Sequence, residues 1–160
     1  MVELFEYGAD DSTLSKDQIV DFVAEQDSFF EPPLQSRGVV LADYVDKILR
    51  QGHVICAVND ENRLVGMIMF YCNDMETRTA FVTWLAVAEN ARAQGIGSLL
   101  ISETLEFCKK HGMDYYETCT WKTNEALIAV YQRKFGARIL KDKEELGRVT
   151  MHLRVDLKNR

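Results

Sequence analysis

No apolar run in this chain approaches the roughly 20 residues that a bilayer-spanning helix needs, so no membrane role is expected. Proline is nearly absent, with two residues, adjacent at Pro32 and Pro33. Basic residues are outnumbered, 19 against 25 acidic, for a formal net charge of −6. Nucleic-acid binders carry a basic face that neutralises phosphate; here lysine and arginine are scattered, so DNA and RNA are not expected as partners. The four cysteines, Cys56, Cys72, Cys108 and Cys119, have neither zinc-site nor CxxC spacing. No metal site is expected, and the cysteines read as small buried hydrophobes in a reducing, cytoplasmic setting. Low-complexity tracts and internal repeats are absent. Met1–Glu6 shows no basic stretch leading into an apolar one, so no secretory leader is expected.

What is present is an ordinary globular mixture of 160 residues, 47% hydrophobic and 28% charged, the size of one domain. Residues 2–7 predict a short strand. Ser12 or Thr13 offers a helix N-cap ahead of Ile19, Val20, Phe22 and Val23, which recur at helical spacing. The segment 28–40, with its Pro-Pro and Gly38, predicts an ordered loop. Leu41, Tyr44, Val45, Ile48 and Leu49 predict a second helix over 41–51, ended by Gly52. Strands are expected at 53–58 and 64–72 around the polar turn Asn59–Asn62. A third, at 79–87, is apolar on both faces and therefore central. A helix over 96–111, a strand over 113–120, a helix over 124–134 and a hairpin of 137–141 with 148–156 complete the chain. The order β-α-α-β-β-β-α-β-α-β-β predicts an α/β domain, one mixed sheet of about seven strands flanked by about four helices.

The segment Leu85-Ala86-Val87-Ala88-Glu89-Asn90-Ala91-Arg92-Ala93-Gln94-Gly95-Ile96-Gly97-Ser98 carries the chemistry. A buried strand runs into a turn with glycines at alternate positions, and the turn opens a helix. Glycine lets backbone approach a ligand closely. Free amides at a helix N-terminus, backed by the helix dipole, bind anions, and Arg92 adds positive charge at the mouth. A phosphate or pyrophosphate fits there, although the same pattern serves a tight turn with close helix–strand packing. GxxxxGK[ST] is absent, and Leu100 stands where GxGxxG needs its third glycine, so two familiar nucleotide motifs are excluded.

Taken with its strand, this segment resembles motif A of the GNAT superfamily of acyl-CoA-dependent N-acyltransferases. That motif is a strand ending Leu-x-Val, then Arg-x-x-Gly-x-Gly and a helix; Leu85, Val87, Arg92, Gly95 and Gly97 stand in the matching places. The element order is similar along nearly the whole chain. The resemblance implies one N-acetyltransferase domain over residues 1–160, with acetyl-CoA as acyl donor and no metal. It implies that backbone amides of Gln94, Gly95, Ile96, Gly97 and Ser98 cradle the coenzyme A pyrophosphate, with Arg92 and Ala93 in the same turn. Main-chain groups of Leu85, Ala86 and Val87 would pair with pantetheine, and an amide there would polarise the thioester carbonyl. Asn124 would add a contact from the next helix. Glu89 stands where many members have proline.

In this family the acid for the departing thiolate is commonly a tyrosine on the helix after the fifth strand. The Asn124-to-Tyr131 spacing points to Tyr131, which would also touch the coenzyme. The glycine expected four residues later stands five later, at Gly136, an alignment that would put Gln132 in that place. Leu127, Tyr131 and Phe135 also form an i, i+4, i+8 stripe suited to a core. No base is evident, because Phe81 replaces the family's frequent glutamate. Thr83 shares that face of its strand, and Glu117, Asp43, Asp74 or His53 could act through water.

The run Phe29-Phe30-Glu31-Pro32-Pro33-Leu34-Gln35-Ser36 sets aromatics beside rigid prolines, as a wall for a flat or ring-shaped acceptor or as a plug under the loop. With Asp43-Tyr44 and Phe70-Tyr71-Cys72-Asn73-Asp74 it resembles a bacterial GNAT subgroup linked to surface-polysaccharide biosynthesis. That resemblance implies an amino-sugar acceptor touched by Phe29, Phe30, Tyr71 and Asp74. The expected activity is acetyl transfer to the primary amine of a small molecule, by direct attack in a ternary complex. Acetylation of a protein amine and a non-catalytic coenzyme A-binding module are the other readings. The closing hairpin is a candidate homodimer face.

Overall fold

The computed structural model describes residues 1–8, 14–145 and 148–158. The chain opens with β1 (Glu3–Glu6) and α1 (Lys16–Asp27); a loop with one 3₁₀ turn at Gln35–Arg37 leads to α2 (Leu41–Gln51). Next come β2 (His53–Val58), β3 (Leu64–Asp74), β4 (Thr79–Val87) and α3 (Ile96–Lys110). The last elements are β5 (Tyr115–Trp121), α4 (Glu125–Phe135), β6 (Arg138–Glu145) and β7 (Arg148–Asp156). Seven strands make one sheet in the order β1-β2-β3-β4-β5-β7-β6, antiparallel except for β4 beside β5.

The expected order and types of element hold, while several ends move. Ser12 and Thr13 lie outside the described residues. The cap of α1 is Ser15, in a reciprocal box in which the Gln18 N–H donates to Ser15 Oγ at 3.2 Å and the Ser15 N–H to Gln18 Oε1 at 2.7 Å. β6 continues past the expected Lys141, because pairing with β7 persists to Glu145↔Arg148. An edge strand can be polar to its tip without losing its ladder.

The sheet divides two cores. On one face α1 and α2 bring Ile19, Phe22, Val45 and Ile48 against Val54, Cys56, Met67, Met69 and Trp84. On the other, α3 and α4 bring Leu100, Ile101, Leu105 and Tyr131 against Ile55, Ile68, Phe70, Val82 and Leu153. β4, with helices over both faces, is the central strand that its two-sided apolarity predicts. Gly66 on β3 lets α3 approach closely: a Cβ there would stand 2.9 Å from Ile96 Cγ2 and 3.1 Å from Leu100 Cδ1.

Two irregularities of β4 prepare the site. Its register with β3 slips between Met69↔Trp84 and Phe70↔Val82, which leaves Thr83 as an extra, bulged residue. Its pairing with β5 runs from Thr79↔Tyr115 to Val82↔Thr118 and stops. Beyond that point the strands part, and Thr83–Val87 faces Cys119–Trp121 across a notch with no described strand between them.

Candidate active site

The notch opens beside the N-terminus of α3. Leading in, Ala93 (φ 65°) and Gly95 (φ 77°) are both left-handed. For the non-glycine this costs about 1–2 kcal/mol. The first bond of the helix runs from the Leu99 N–H to the Gly95 carbonyl at 3.1 Å. The N–H groups of Ile96, Gly97 and Ser98 therefore have no helical acceptor, and no side chain caps them. Gly97 and Arg92 line a cleft of about 330 Å³. Leu85–Val87 form one wall, Asn124, Leu127 and Val130 the other, with Gln26, Phe29 and Phe30 across the mouth. Arg92 Nε donates to the Val87 carbonyl at 3.1 Å, and its guanidinium lies 4.5 Å from the centre of the Phe29 ring. Gln26 is only 5% exposed, and its Oε1 has no donor among the described residues. A buried acceptor left in this state suits a ligand amide.

A second pocket, of about 340 Å³, meets the first at Phe30 and Trp121, which line both. Phe30 stacks on Trp84 (5.4 Å, 12°) and meets Trp121 at 5.5 Å. The loop that carries Phe30 is tied at two points. Buried Asp27 accepts the N–H groups of Leu34 (2.8 Å) and Gln35 (3.1 Å). Thr123 Oγ1 donates to Glu31 Oε2 at 2.7 Å, which bridges the loop to the β5–α4 connection. Glu31, Arg37, Tyr44, Thr83 and Cys119 supply the pocket's side-chain chemistry. The Tyr44 hydroxyl donates to Thr83 Oγ1 at 3.1 Å. Burial pushes its pKa up, against smaller opposing effects of Thr83 and the Arg37 charge, so it stays protonated.

Of the expected coenzyme residues, Leu85, Ala86, Val87, Arg92, Gly97 and Asn124 line the first cleft. Ala93, Gln94 and Gly95 are exposed in the turn, Ser98 is half-buried and Ile96 is buried against the sheet. Phe30 and Thr83 line the second pocket, and Phe29 sits at the mouth of the first.

Apart from Ala93, Gln94, Gly95, Ile96 and Ser98 of the turn, four expected residues line neither pocket. Tyr131 is 1% exposed, its hydroxyl 2.5 Å from that of Tyr116. Burial raises the pKa of both. Glu117 accepts from His152 Nε2 at 2.9 Å and from the Arg154 guanidinium, which holds it in a β5–β7 ion network. Asp74 accepts the Thr77 N–H at 3.0 Å in the exposed turn before β4. Tyr71 packs against the end of α2, where a Cβ on Gly52 would come within 3.2 Å of its ring. The candidate bases His53 and Asp43 also line neither pocket: His53 pairs with Glu6, and Asp43 is exposed on α2.

Cys119 departs from the expectation for the cysteines, since it is exposed in the second pocket while Cys56, Cys72 and Cys108 are buried. Sequence reasoning missed Gln26, Glu31, Arg37, Trp84 and Trp121. Charges flanking the Pro-Pro were an available signal for Glu31 and Arg37; Trp84 and Cys119 reach the pocket only through the bulge and the parting of strands. Among the described residues no three His, Cys, Asp or Glu side chains gather as a metal site, and no helix is long and apolar enough to cross a membrane.

A sheet split beside an uncapped helix N-terminus, with pockets on both sides of an aromatic boundary, gives this α/β domain an anion-binding turn next to two adjoining ligand pockets. Residues 19–137 match the Acetyltransferase (GNAT) family. The chain belongs to that family, whose members are acetyl-CoA-dependent transferases. L-2,4-Diaminobutyric acid acetyltransferase of Nocardia farcinica (strain IFM 10152) is 32% identical over 84 residues, 51% of this chain. The match spans 44% of that relative's length. An acetyltransferase of the GNAT family from Desulfovibrio desulfuricans superposes with a TM-score of 0.76 at 19% identity, over 98% of this chain and 99% of that one. A Bacillus subtilis acetyltransferase solved in complex with CoA gives 0.60 at 26% identity, over 71% and 82%.

Proposed function

We propose that the chain moves an acetyl group from acetyl-CoA to the primary amine of a small molecule, by direct attack within a ternary complex. One observation carries the reading. The notch runs from the uncapped N-terminus of α3 to the boundary at Phe30 and Trp121. A coenzyme with its pyrophosphate on the α3 amides would direct its pantetheine arm toward the second pocket. Gln26 Oε1 would accept a pantetheine amide N–H. The backbone of Leu85–Val87, unpaired on the β5 side, would offer an N–H to the thioester oxygen.

In the chemical step the amine lone pair attacks the thioester carbon and the C–S bond breaks. The thiolate then takes the proton that the new amide nitrogen releases. A thiol with a pKa near ~8.5 is a good leaving group, so the mechanism does not depend on Tyr131 as an acid. Glu31 is the one carboxylate among the described residues lining the two pockets, and it takes the ammonium proton, directly or through water.

The Glu31–Thr123 bond ties the loop across the notch, which favours a small acceptor over a peptide. The Nocardia relative is named for a small amino acid, in the same direction. An amino sugar is the acceptor that the loop's sequence resemblance implies, although Tyr71 and Asp74 lie outside the pocket. Mass-spectrometric detection of free coenzyme A tests the reading, with acetyl-CoA and amino sugars, amino acids, polyamines and short peptides. Release that depends on a small amine is expected. Release with peptides alone, or acetyl-CoA binding without release from any amine, overturns it.

A further inference from the structure

The second pocket has one cation among its described lining residues, Arg37, and one carboxylate, Glu31, on the same loop. Glu31 is engaged by Thr123. The Arg37 guanidinium makes no hydrogen bond or ion pair with a described side chain. It stands close enough to Tyr44 for its charge to act on that hydroxyl. Trp84, 2% exposed, lines the same pocket, and its Nε1–H has no acceptor among the described residues. A buried N–H in this state is costly unless a ligand or water accepts from it.

These groups describe the far end of an acceptor molecule. A guanidinium presents a planar fork that matches a carboxylate. An indole N–H from the lining of the same pocket adds a neutral donor. A phosphate dianion would call for more than one cation, and an uncharged hydroxylated ring would leave the guanidinium unused. The near end is set by the boundary at Phe30 and Trp121, since the amine must meet the thioester there, and Glu31 follows Phe30 in the chain.

We propose that the acceptor is an amine bearing a carboxylate, bound with the carboxylate on Arg37 and the amine at the Phe30–Trp121 boundary beside Glu31. This rests on the acetyltransferase reading and names its substrate class. Arg37 is then the residue that sets specificity, through binding and not through chemistry.

Matched amines with and without the carboxylate test it: 2,4-diaminobutyrate against 1,3-diaminopropane and lysine against cadaverine, with glucosamine and glucosamine 6-phosphate as neutral and phosphate arms. The carboxylate members should show kcat/KM at least about tenfold higher. Arg37→Ala should remove the preference by raising their KM about 10- to 100-fold at similar kcat, with Arg37→Lys restoring part of it. The diamines should lose no kcat/KM in either variant, since they have no carboxylate for Arg37 to hold.

A second readout needs no turnover. Cys119, the exposed cysteine of the four, lines the same pocket. The carboxylate amines should slow its alkylation by iodoacetamide, the diamines should not, and Arg37→Ala should abolish the protection. Equal turnover within pairs, equal protection, or a preference for glucosamine or its phosphate overturns the proposal. Loss of turnover with every amine would sink the acetyltransferase reading, and Cys119 labelling would still decide this one.

Discussion

Replacing Gly97 with alanine separates a glycine kept for packing from one kept for a ligand. Gly97 lies in the first turn of α3, and a Cβ there would meet only Val87 Cγ2, at 3.8 Å, an ordinary contact. The fold does not need glycine at this position. Alanine is preferred over glycine inside a helix by about 0.5–1 kcal/mol, so the variant should be more stable than the parent. In a chain of this size about 1 kcal/mol corresponds to a Tm increase of about 2–4 °C. The same methyl stands beside Val87 on the wall of the first cleft. A pyrophosphate seated on the amides of Ile96–Ser98 would be pushed away from them. Each charge-assisted hydrogen bond lost costs about 1.5–3 kcal/mol, and one such loss raises Kd about 10- to 100-fold. Thermal melts of the free proteins and calorimetric titration with coenzyme A should therefore move in opposite directions. Parental affinity in Gly97→Ala would refute the phosphate cradle. A lower Tm would refute the claim that packing leaves room for a methyl.

Tyr131→Phe should leave the Tyr116 hydroxyl without its partner in the core, lowering stability by about 1–3 kcal/mol. Turnover should stay within about twofold, whereas a fall of about 100-fold or more would restore Tyr131 as the acid. The same pair has a pH signature, because both hydroxyls titrate above the ordinary tyrosine value of 10.0 when folded. Their contribution is complete below pH 10 and is lost as pH rises above it, while the unfolded chain ionises first. Melts between about pH 9 and 11 should show a loss that Tyr131→Phe lessens. Asp27→Asn keeps one acceptor oxygen for two N–H groups, so the loop bearing Phe30 should loosen. Stability should drop by about 1–3 kcal/mol, with KM for donor and acceptor both rising; unchanged KM values would deny Asp27 its hold on the boundary.

Much of the fold could be read from residue order because each element's apolar period matches what it buries. Leu100, Ile101, Leu105 and Cys108 follow a helical stripe and are buried on α3, while Glu103, Glu106, Lys109 and Lys110 are exposed. The Gly95 turn was legible for a similar reason, since a left-handed φ followed by an uncapped helix restricts residue type directly. Other features depend on choices between neighbours that pattern cannot rank. Ser12, Thr13 and Ser15 all offer a capping oxygen, and Gln18 decides for Ser15. Val130 and Tyr131 are adjacent on α4, about 100° apart around the axis. The helix's rotation sets Val130 on the cleft and Tyr131 in the core. Glu117 reads as a base until His152 and Arg154, on a strand distant in sequence, are seen to hold it.

The bulge at Thr83 shows why the second pocket was least legible. In an undisturbed strand, alternation from Ala80 and Val82 would place Trp84 on the α3–α4 face. One inserted residue reverses the phase of every later side chain. Trp84 and Ala86 turn to the α1–α2 core, and Leu85 and Val87 turn toward α3. Trp84 thus becomes the platform on which Phe30 stacks, and Leu85 and Val87 become a wall of the first cleft. The same point ends the pairing with β5, because Val82↔Thr118 is the last matched pair. Bulges sharpen local twist, and added twist at Thr83 carries β4 away from β5 where the notch begins. The wall of the first cleft, the platform under Phe30 and the gap between β4 and β5 therefore share one backbone cause. The hydroxyl that marks Thr83 in the sequence matters less to the site than the extra residue it adds to its strand.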